Sequence, residues 1–289
     1  LKNELALSGE RICEKVYPDL FENIGMIRGE YLIRELNQSV LNVVTQKKIG
    51  QYLEELCQLY ADELVWYRFS ELTITEANVL QGTRTQLEDQ HPLFGLRGLR
   101  RLLEFSDEFL AELKVMVSVY QSHHNLCVFL PFVNDAAQLS EAIKFIRGNG
   151  FQGDIGCMIE LPSAYFDLDN ILQTGIKKIV IGMNDLTSFI FGAVREDQWH
   201  QMDSLIMSQI ISDINDKATM MGVEIVVAGY LSKNLVKTLN GKGIKCVIHY
   251  NLIPEIFGRE IAHPNHLVDI KKLTKEKIRA HELDLRAPD

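Results

Sequence analysis

The chain has 289 residues, 46% of them hydrophobic, and a formal net charge of -9. That is enough apolar material for one (β/α)8 barrel, which takes about 250 residues, or for two small domains. The negative balance argues against nucleic acid or an anionic membrane surface as the main partner, so a bound anion must meet a local cluster of positive charge.

No apolar run approaches the roughly 20 residues of a membrane span, and no secretory leader is visible. The five cysteines show no CxxC spacing, and Cys13, Cys127, Cys157 and Cys246 lie within apolar runs. They are expected to be reduced core thiols of a cytoplasmic protein. The chain opens on Leu1 rather than Met, which fits an excised domain of something longer.

In chain order, Arg11 to Tyr17 is short and apolar enough for a first strand. Asn23 to Arg28 is a second, and a helix starts just after Arg28, with Glu30 close behind; taken alone, that pair is a weak surface salt bridge. The spacing of Val40, Leu41, Val44, Ile49, Leu53, Leu56 and Leu59 predicts an outer helix within Leu36 to Tyr60. Leu64 to Phe69 is a third strand with Arg68 near its end. Thr83 to Arg101 has no periodicity and reads as a long loop, and long loops inside compact domains are usually functional. Within it Arg97 stands near Gly95 and Gly98, which let backbone approach a ligand while the guanidinium reaches it.

Further strands are expected from Leu126, Ile155, Ile176, Val223 and Ile244. Eight parallel strands with helical or loop crossovers predict an α/β fold, a (β/α)8 TIM barrel, over about residues 11–258 of a single domain. From Val268 onward the chain is charge-rich and is expected to be a solvated helix with a frayed tail.

The runs Ile155 to Ile159 and Ile179 to Gly182 lack polar alternation, as buried parallel strands do, and each is followed by an acid, Glu160 or Asp185. Singly, Glu160 fits a helper ahead of Pro162 and Asp185 fits a helix cap near Leu186. Together, at adjacent strand C-termini on one face of a barrel, they are a natural seat for a hard divalent cation. Mg²⁺ suits the pair because it usually takes one or two protein carboxylates and completes its shell with water and substrate oxygens.

Glu160-Leu161-Pro162-Ser163 and Ile181-Gly182-Met183-Asn184-Asp185-Leu186-Thr187 resemble the metal-binding motifs of the phosphoenolpyruvate-utilising enzymes. That family includes pyruvate phosphate dikinase, phosphoenolpyruvate synthase and enzyme I of the sugar phosphotransferase system, and the likeness is to their C-terminal barrel. The segment around Arg28 is similar to the family's Gly-Leu-x-Arg-x-Glu. Tyr67-Arg68-Phe69-Ser70-Glu71 with Asn78 is similar to its Arg-x-Ser-Asp and Asn-Glu segments. His91-Pro92-Leu93-Phe94-Gly95-Leu96-Arg97-Gly98 resembles Asn-Pro-Met-Leu-Gly-x-Arg-Gly, with His91 in place of Asn. Leu130-Pro131-Phe132-Val133 resembles Ile-Pro-Phe-Val.

The resemblance implies that Arg28, Arg68 and Arg97 bind the anionic groups of phosphoenolpyruvate or pyruvate, and that Glu160 and Asp185 hold Mg²⁺. Met183 and Asn184 are implied beside the substrate, Asn184 as a neutral hydrogen-bonding group. Arg is suited to such ligands because its planar fork meets a phosphate or carboxylate two bonds at a time. In the family a phosphohistidine on another domain exchanges its phosphoryl group with pyruvate enolate, and relatives pair through this barrel, which implies a homodimer. Nothing in this sequence resembles the phosphohistidine or ATP-grasp domains, which are therefore expected in cis beyond this chain or in trans. His123-His124 lacks the phosphohistidine context and is expected at the surface.

One departure is chemical. Where the family carries the cysteine that moves a proton at the methyl carbon of pyruvate, this chain has Ala228. Tyr230, Ser232, His249 and Tyr250 lie nearby in sequence. Tyr230 and His249 are taken as catalytic candidates together with Arg28, Arg68 and Arg97, though Tyr230 and His249 are each also readable as structural. Two other readings stay open: a metal-dependent lyase using enolate chemistry, and a non-catalytic sensor or scaffold that binds the same ligand.

Overall fold

Eight short runs rich in Val, Ile, Leu and Met form strands, and the segments between them supply helices. In the computed structural model, which describes residues 1–83, 87, 91 and 94–286, the strands are β1 (Asn3–Leu7), β2 (Phe21–Arg28), β3 (Val65–Arg68), β4 (Leu126–Leu130), β5 (Ile155–Ile159), β6 (Lys178–Gly182), β7 (Glu224–Ala228) and β8 (Lys245–His249). Each pairs in parallel with its chain neighbour, and β8 closes on β1. The fold is therefore the expected TIM barrel.

Helices α1 (Gly29–Leu36) and α2 (Val43–Leu59) follow β2, and α3 (Ile74–Asn78), α4 (Gly98–Glu104) and α5 (Ser106–Ser122) follow β3. After β4 comes α6 (Ala136–Gly148), after β5 come α7 (Pro162–Phe166) and α8 (Leu168–Leu172), and after β6 come α9 (Met183–Phe191) and α10 (Leu205–Met220). Then α11 (Lys233–Gly241) follows β7, and α12 (Ile253–Phe257) and α13 (His266–Arg286) follow β8. Among the described residues no helix is long and apolar enough to cross a membrane.

Successive strand residues face opposite sides of a sheet. One set points outward into the large core shared with the helices, where Leu5, Ile27, Tyr67, Val128, Cys157, Ile181, Val227 and Ile248 are buried. The other set fills the barrel with Ala6, Met26, Trp66, Cys127, Phe129, Met158, Val180, Val226, Ala228 and Val247. At the end where the strands begin, Lys178 Nζ sits 2.6 Å from each carboxylate oxygen of Glu4, both residues fully buried, with Asn23 also donating to Glu4 at 3.1 Å. This ion pair closes the bottom of the barrel.

Four expectations change. The first strand is Asn3–Leu7, not Arg11 to Tyr17. Glu4 disguises that strand as polar, whereas Arg11, Glu14 and Lys15 leave the later segment as a surface loop. Cys13, on that loop, is exposed, while the other four cysteines are buried thiols. The Thr83 to Arg101 stretch ends in helix, α4 beginning at Gly98, and its Pro92-Leu93 pair lies outside the described residues. Finally, α13 is not simply solvated: Ile270 and Thr274 are buried, and Arg34 Nε donates to Thr274 Oγ1 at 3.0 Å. His123 and His124 lie beyond the end of α5, half-buried and exposed respectively.

Candidate active site

Continuing the inward set by two residues along each strand gives the lining of one cavity. Met26 leads to Arg28, Trp66 to Arg68, Met158 to Glu160, Val180 to Gly182, Val226 to Ala228 and Val247 to His249, and all six of these end residues line a cavity of about 710 Å³. The sequence spacing of the site is thus the two-residue period of a strand. Arg28 and Arg68 are register partners across β2 and β3, as are Gly182 and Ala228 across β6 and β7.

Local structure serves the same face. Helices α2, α3, α6, α10 and α11 each have an N-cap side chain that accepts a backbone N–H bond. Helices α1, α4, α7 and α9 do not; their N-caps are Arg28, Arg97, Leu161 and Gly182. Helices α5, α8 and α12 lack such a cap as well, so the missing caps are not confined to the site; at α1, α4, α7 and α9 the cap position holds or adjoins a cavity residue.

Three buried carboxylates cluster there. Glu71, Glu160 and Asp185 each offer an oxygen within 4.8 Å of the others. Arg68 Nη1 lies 2.8 Å from Glu71, and the same guanidinium pairs with Glu30. Arg97 Nη2 bridges Glu71 and Asp185, 2.8 Å from the latter, and Arg195 Nη2 donates to Asp185 at 2.5 Å. The ring of Phe132 lies beneath Arg97, 4.5 Å from Cζ to centroid.

The carboxylates do not share charge evenly. Burial would raise Asp185, but Arg97 and Arg195 outweigh it and hold its carboxyl below the usual range. Among the described residues no arginine forms an ion pair with Glu160, although Arg68 and Arg97 lie near enough to lower its pKa in part. Its Oε2 accepts the Phe132 N–H at 2.9 Å, and burial together with Glu71 and Asp185 pushes its pKa up to about 8. The cluster is short of positive charge at Glu160, which is where a divalent cation would reverse the shift. The all-oxygen donor set fits a hard cation, with Glu160, Asp185 and Glu71 able to hold it.

The sequence-named residues are distributed as follows. Arg28, Arg68, Arg97, Glu160, Asn184, Asp185, Tyr230 and His249 all line the cavity. Met183 does not; it is fully buried in the outer core, because Gly182 takes the inward position and Met183 the outward one. Asn184 Oδ1 accepts the Tyr230 N–H at 3.0 Å, tying the end of β6 to the loop after β7, and the Tyr230 side chain is exposed at the mouth. Glu30, which taken alone with Arg28 reads as a surface salt bridge, is buried and pairs with Arg68.

His249 has both ring nitrogens engaged. Nδ1 accepts the Asn251 N–H at 3.1 Å, so in the neutral ring Nε2 carries the proton and donates to Ser8 Oγ at 2.9 Å. Arg28 Nε also donates to Ser8 Oγ, at 2.8 Å. Burial and nearby Arg28 hold the His249 pKa well below the ordinary value, so the ring is neutral.

Sequence reading missed Glu71, Arg195 and Lys271 as cavity residues. Glu71 had a signal, since it follows Arg68 by three residues with only Phe69 and Ser70 between. Arg195, in the run Val194-Arg195-Glu196-Asp197, and Lys271, in a charged helix, read as surface charges.

A family model described as "PEP-utilising enzyme, PEP-binding domain" matches residues 7–248. The phosphoenolpyruvate synthase of Pyrococcus furiosus is 26% identical over 204 residues, covering 66% of this chain and 25% of that protein. A Salmonella typhimurium protein named phosphoenolpyruvate-dependent phosphotransferase system is 26% identical over 240 residues, covering 77% of this chain and 30% of its own length. The chain thus spans about 25% to 30% of the length of these relatives. A solved HpcH/HpaI aldolase from Desulfitobacterium hafniense overlays with a TM-score of 0.46 at 11% identity, covering 86% of each chain. With most of its length matched by that model, this chain belongs to the PEP-binding domain family of the PEP-utilising enzymes.

Proposed function

We propose that the barrel binds phosphoenolpyruvate or pyruvate together with Mg²⁺, for phosphoryl transfer to or from a phosphohistidine on another domain or a partner. The observation that carries this reading is the cluster of Glu71, Glu160 and Asp185 on one cavity wall with arginines beside it. Glu160 and Asp185 hold the cation in this proposal, with Glu71 as a third oxygen. When bound, the ion would polarise the ligand's oxygens and offset charge that develops on them.

The chain's own groups divide the remaining work. Arg68 and Arg97 are fixed by Glu30, Glu71 and Asp185, so they meet the ligand already oriented, which lowers the cost of ordering them on binding. Arg28 is positioned by Ser8, itself held by His249. Asn184 presents a neutral polar group next to Asp185. Proton exchange at the methyl carbon of pyruvate falls to Tyr230 or His249, the two catalytic candidates near Ala228. The same reading carries a cytoplasmic homodimer working with phosphohistidine and ATP-grasp domains in cis or in trans.

A second reading, ligand binding without turnover, is favoured by Ala228, whose methyl offers no acid or base at the cavity wall. Supplying the carrier domain with its histidine unphosphorylated separates the two, since only the first reading moves the phosphoryl group of phosphoenolpyruvate to that histidine and leaves pyruvate. For the site itself the test is titration of Glu160→Ala with phosphoenolpyruvate and Mg²⁺. Loss of saturable, metal-dependent binding is expected, and binding equal to the parent protein would remove the proposal.

A further inference from the structure

Behind the cavity wall, helix α5 sends two acids inward. Glu108 and Glu112 stand four residues apart, on one face of the helix, and both are buried. Glu108 meets a cation, accepting from Arg101 Nη2 at 2.7 Å. Glu112, fully buried, is met by three uncharged donors instead: Tyr67 Oη at 2.6 Å and the Ser70 N–H at 2.8 Å on Oε1, and Ser70 Oγ at 2.7 Å on Oε2.

All three donors belong to β3 and the turn that leaves it. Tyr67 faces the outer core and Arg68 the cavity, while Ser70 directly precedes Glu71. Glu71 in turn holds Arg68, at 2.8 Å, and Arg97. Glu112 thus grips the chain on both sides of Arg68 and one residue before Glu71. The neighbouring strand end leans on the same point. A Cβ on Gly29 would lie 2.7 Å from Tyr67 Cζ and 2.8 Å from Glu112 Oε1, so Gly29, between Arg28 and Glu30, leaves room for the pair. An apolar residue would seat α5 against the core at less cost than a carboxylate taken out of water. What the carboxylate adds is direction, because it accepts from both the backbone and the hydroxyl of Ser70.

We propose that Glu112 is a positioning residue of the site, whose three hydrogen bonds fix the turn after β3 and so aim Arg68, Glu71 and, through Glu71, Arg97 into the cavity. Only the affinity measurement below rests on the phosphoenolpyruvate reading; the order of the guanidinium groups is observed without a ligand. The experiment follows the arginine Nη signals of isotope-labelled protein by NMR, and phosphoenolpyruvate binding with Mg²⁺ by calorimetry, in the parent chain, Glu112→Met, Glu112→Gln and Ser70→Ala. Methionine keeps the length and the burial but takes no bond from Ser70. Glutamine keeps the shape, its carbonyl on the Ser70 N–H and its amide donating to the Ser70 hydroxyl. In Glu112→Met the Arg68 and Arg97 guanidinium groups should rotate faster and phosphoenolpyruvate should bind roughly tenfold more weakly, since side chains left loose must be ordered on binding. Glu112→Gln should recover most of both effects, and Ser70→Ala, which keeps the backbone bond, should fall between. Arg101, paired with Glu108 one turn earlier on the same helix, is the control and should be unchanged throughout.

Parent-like Arg68 and Arg97 signals in Glu112→Met would overturn the positioning role. An Arg101 signal that changes along with them would overturn it too, as the mark of a helix merely unseated. An equal loss in Glu112→Gln would place the effect in the charge rather than in the three bonds, and the proposal would fall. If Glu112→Met did not fold, Ser70→Ala would decide, with parent-like guanidinium signals counting against the proposal. A parent chain that binds no phosphoenolpyruvate would remove the substrate reading, and the guanidinium signals would still uphold or overturn the role of Glu112.

Discussion

Replacing Gly182 by Ala should cripple metal-dependent binding while leaving the barrel folded. Gly182 has φ -86 and ψ 87, a conformation alanine can adopt, so glycine is not required there by the backbone. It is required by Glu160. A Cβ on residue 182 would stand 2.6 Å from Glu160 Oε1 and 2.9 Å from Cδ, and closer still to Cγ, where ordinary contact begins at 3.4 Å. The Glu160 side chain must therefore shift by about 1 Å, a displacement that costs on the order of a hundredfold where geometry is critical. It cannot shift freely, because Oε2 is held by the Phe132 N–H at 2.9 Å, and breaking that bond costs about 1–3 kcal/mol. The assay is calorimetric titration of Gly182→Ala with Mg²⁺ in the presence of phosphoenolpyruvate, alongside urea unfolding. The expected result is a roughly hundredfold loss of Mg²⁺-dependent affinity with stability lowered by no more than about 3 kcal/mol. Parent-like Mg²⁺ affinity would refute the placement of the cation at Glu160.

Three further outcomes follow from buried charge. Burial pushes Glu112 from 4.5 up to about 7, so between those values the folded state holds a proton that the unfolded state has released. Stability should fall as pH rises through that window, by about 3 kcal/mol in all, and level off above it. Glu112→Gln should flatten that slope in urea melts, and an unchanged slope would contradict the assignment. Lys178→Met strands the fully buried Glu4 carboxylate and should cost about 3–5 kcal/mol, with Glu4→Gln in the same chain recovering much of it; a single-variant loss below about 1 kcal/mol would show that the pair is not buried in solution. Arg97 Nη2 alone meets both Glu71 and Asp185, so Arg97→Lys takes the remaining donors of the planar guanidinium from a ligand, and phosphoenolpyruvate affinity should drop about tenfold, against no change if charge alone matters.

The barrel was legible because parallel strands buried on both faces read as uninterrupted apolar runs, and those ending at Gly182, Ala228 and His249 stand out as such. The exception, Asn3–Leu7, is instructive. Its inward Glu4 is neutralised by Lys178, from β6, and no local pattern announces a charge whose partner is 174 residues away. The cavity residues Arg28, Arg68, Glu160 and Asp185 were readable because strand termini collect at one end of a barrel. Arg195 and Lys271 were not, because each sits in a charged, exposed-looking segment and reaches the cavity only through tertiary packing. Met183 shows the converse limit: a motif names neighbours in sequence, but the strand period sends alternate side chains to opposite sides.

The central claim is a metal-dependent anion site, and calorimetric titration with phosphoenolpyruvate in the presence and absence of Mg²⁺, with pyruvate for comparison, addresses it most directly. The account predicts saturable binding of phosphoenolpyruvate that requires Mg²⁺ and disappears in Glu160→Ala. Binding indifferent to Mg²⁺, or no binding at all, would contradict it.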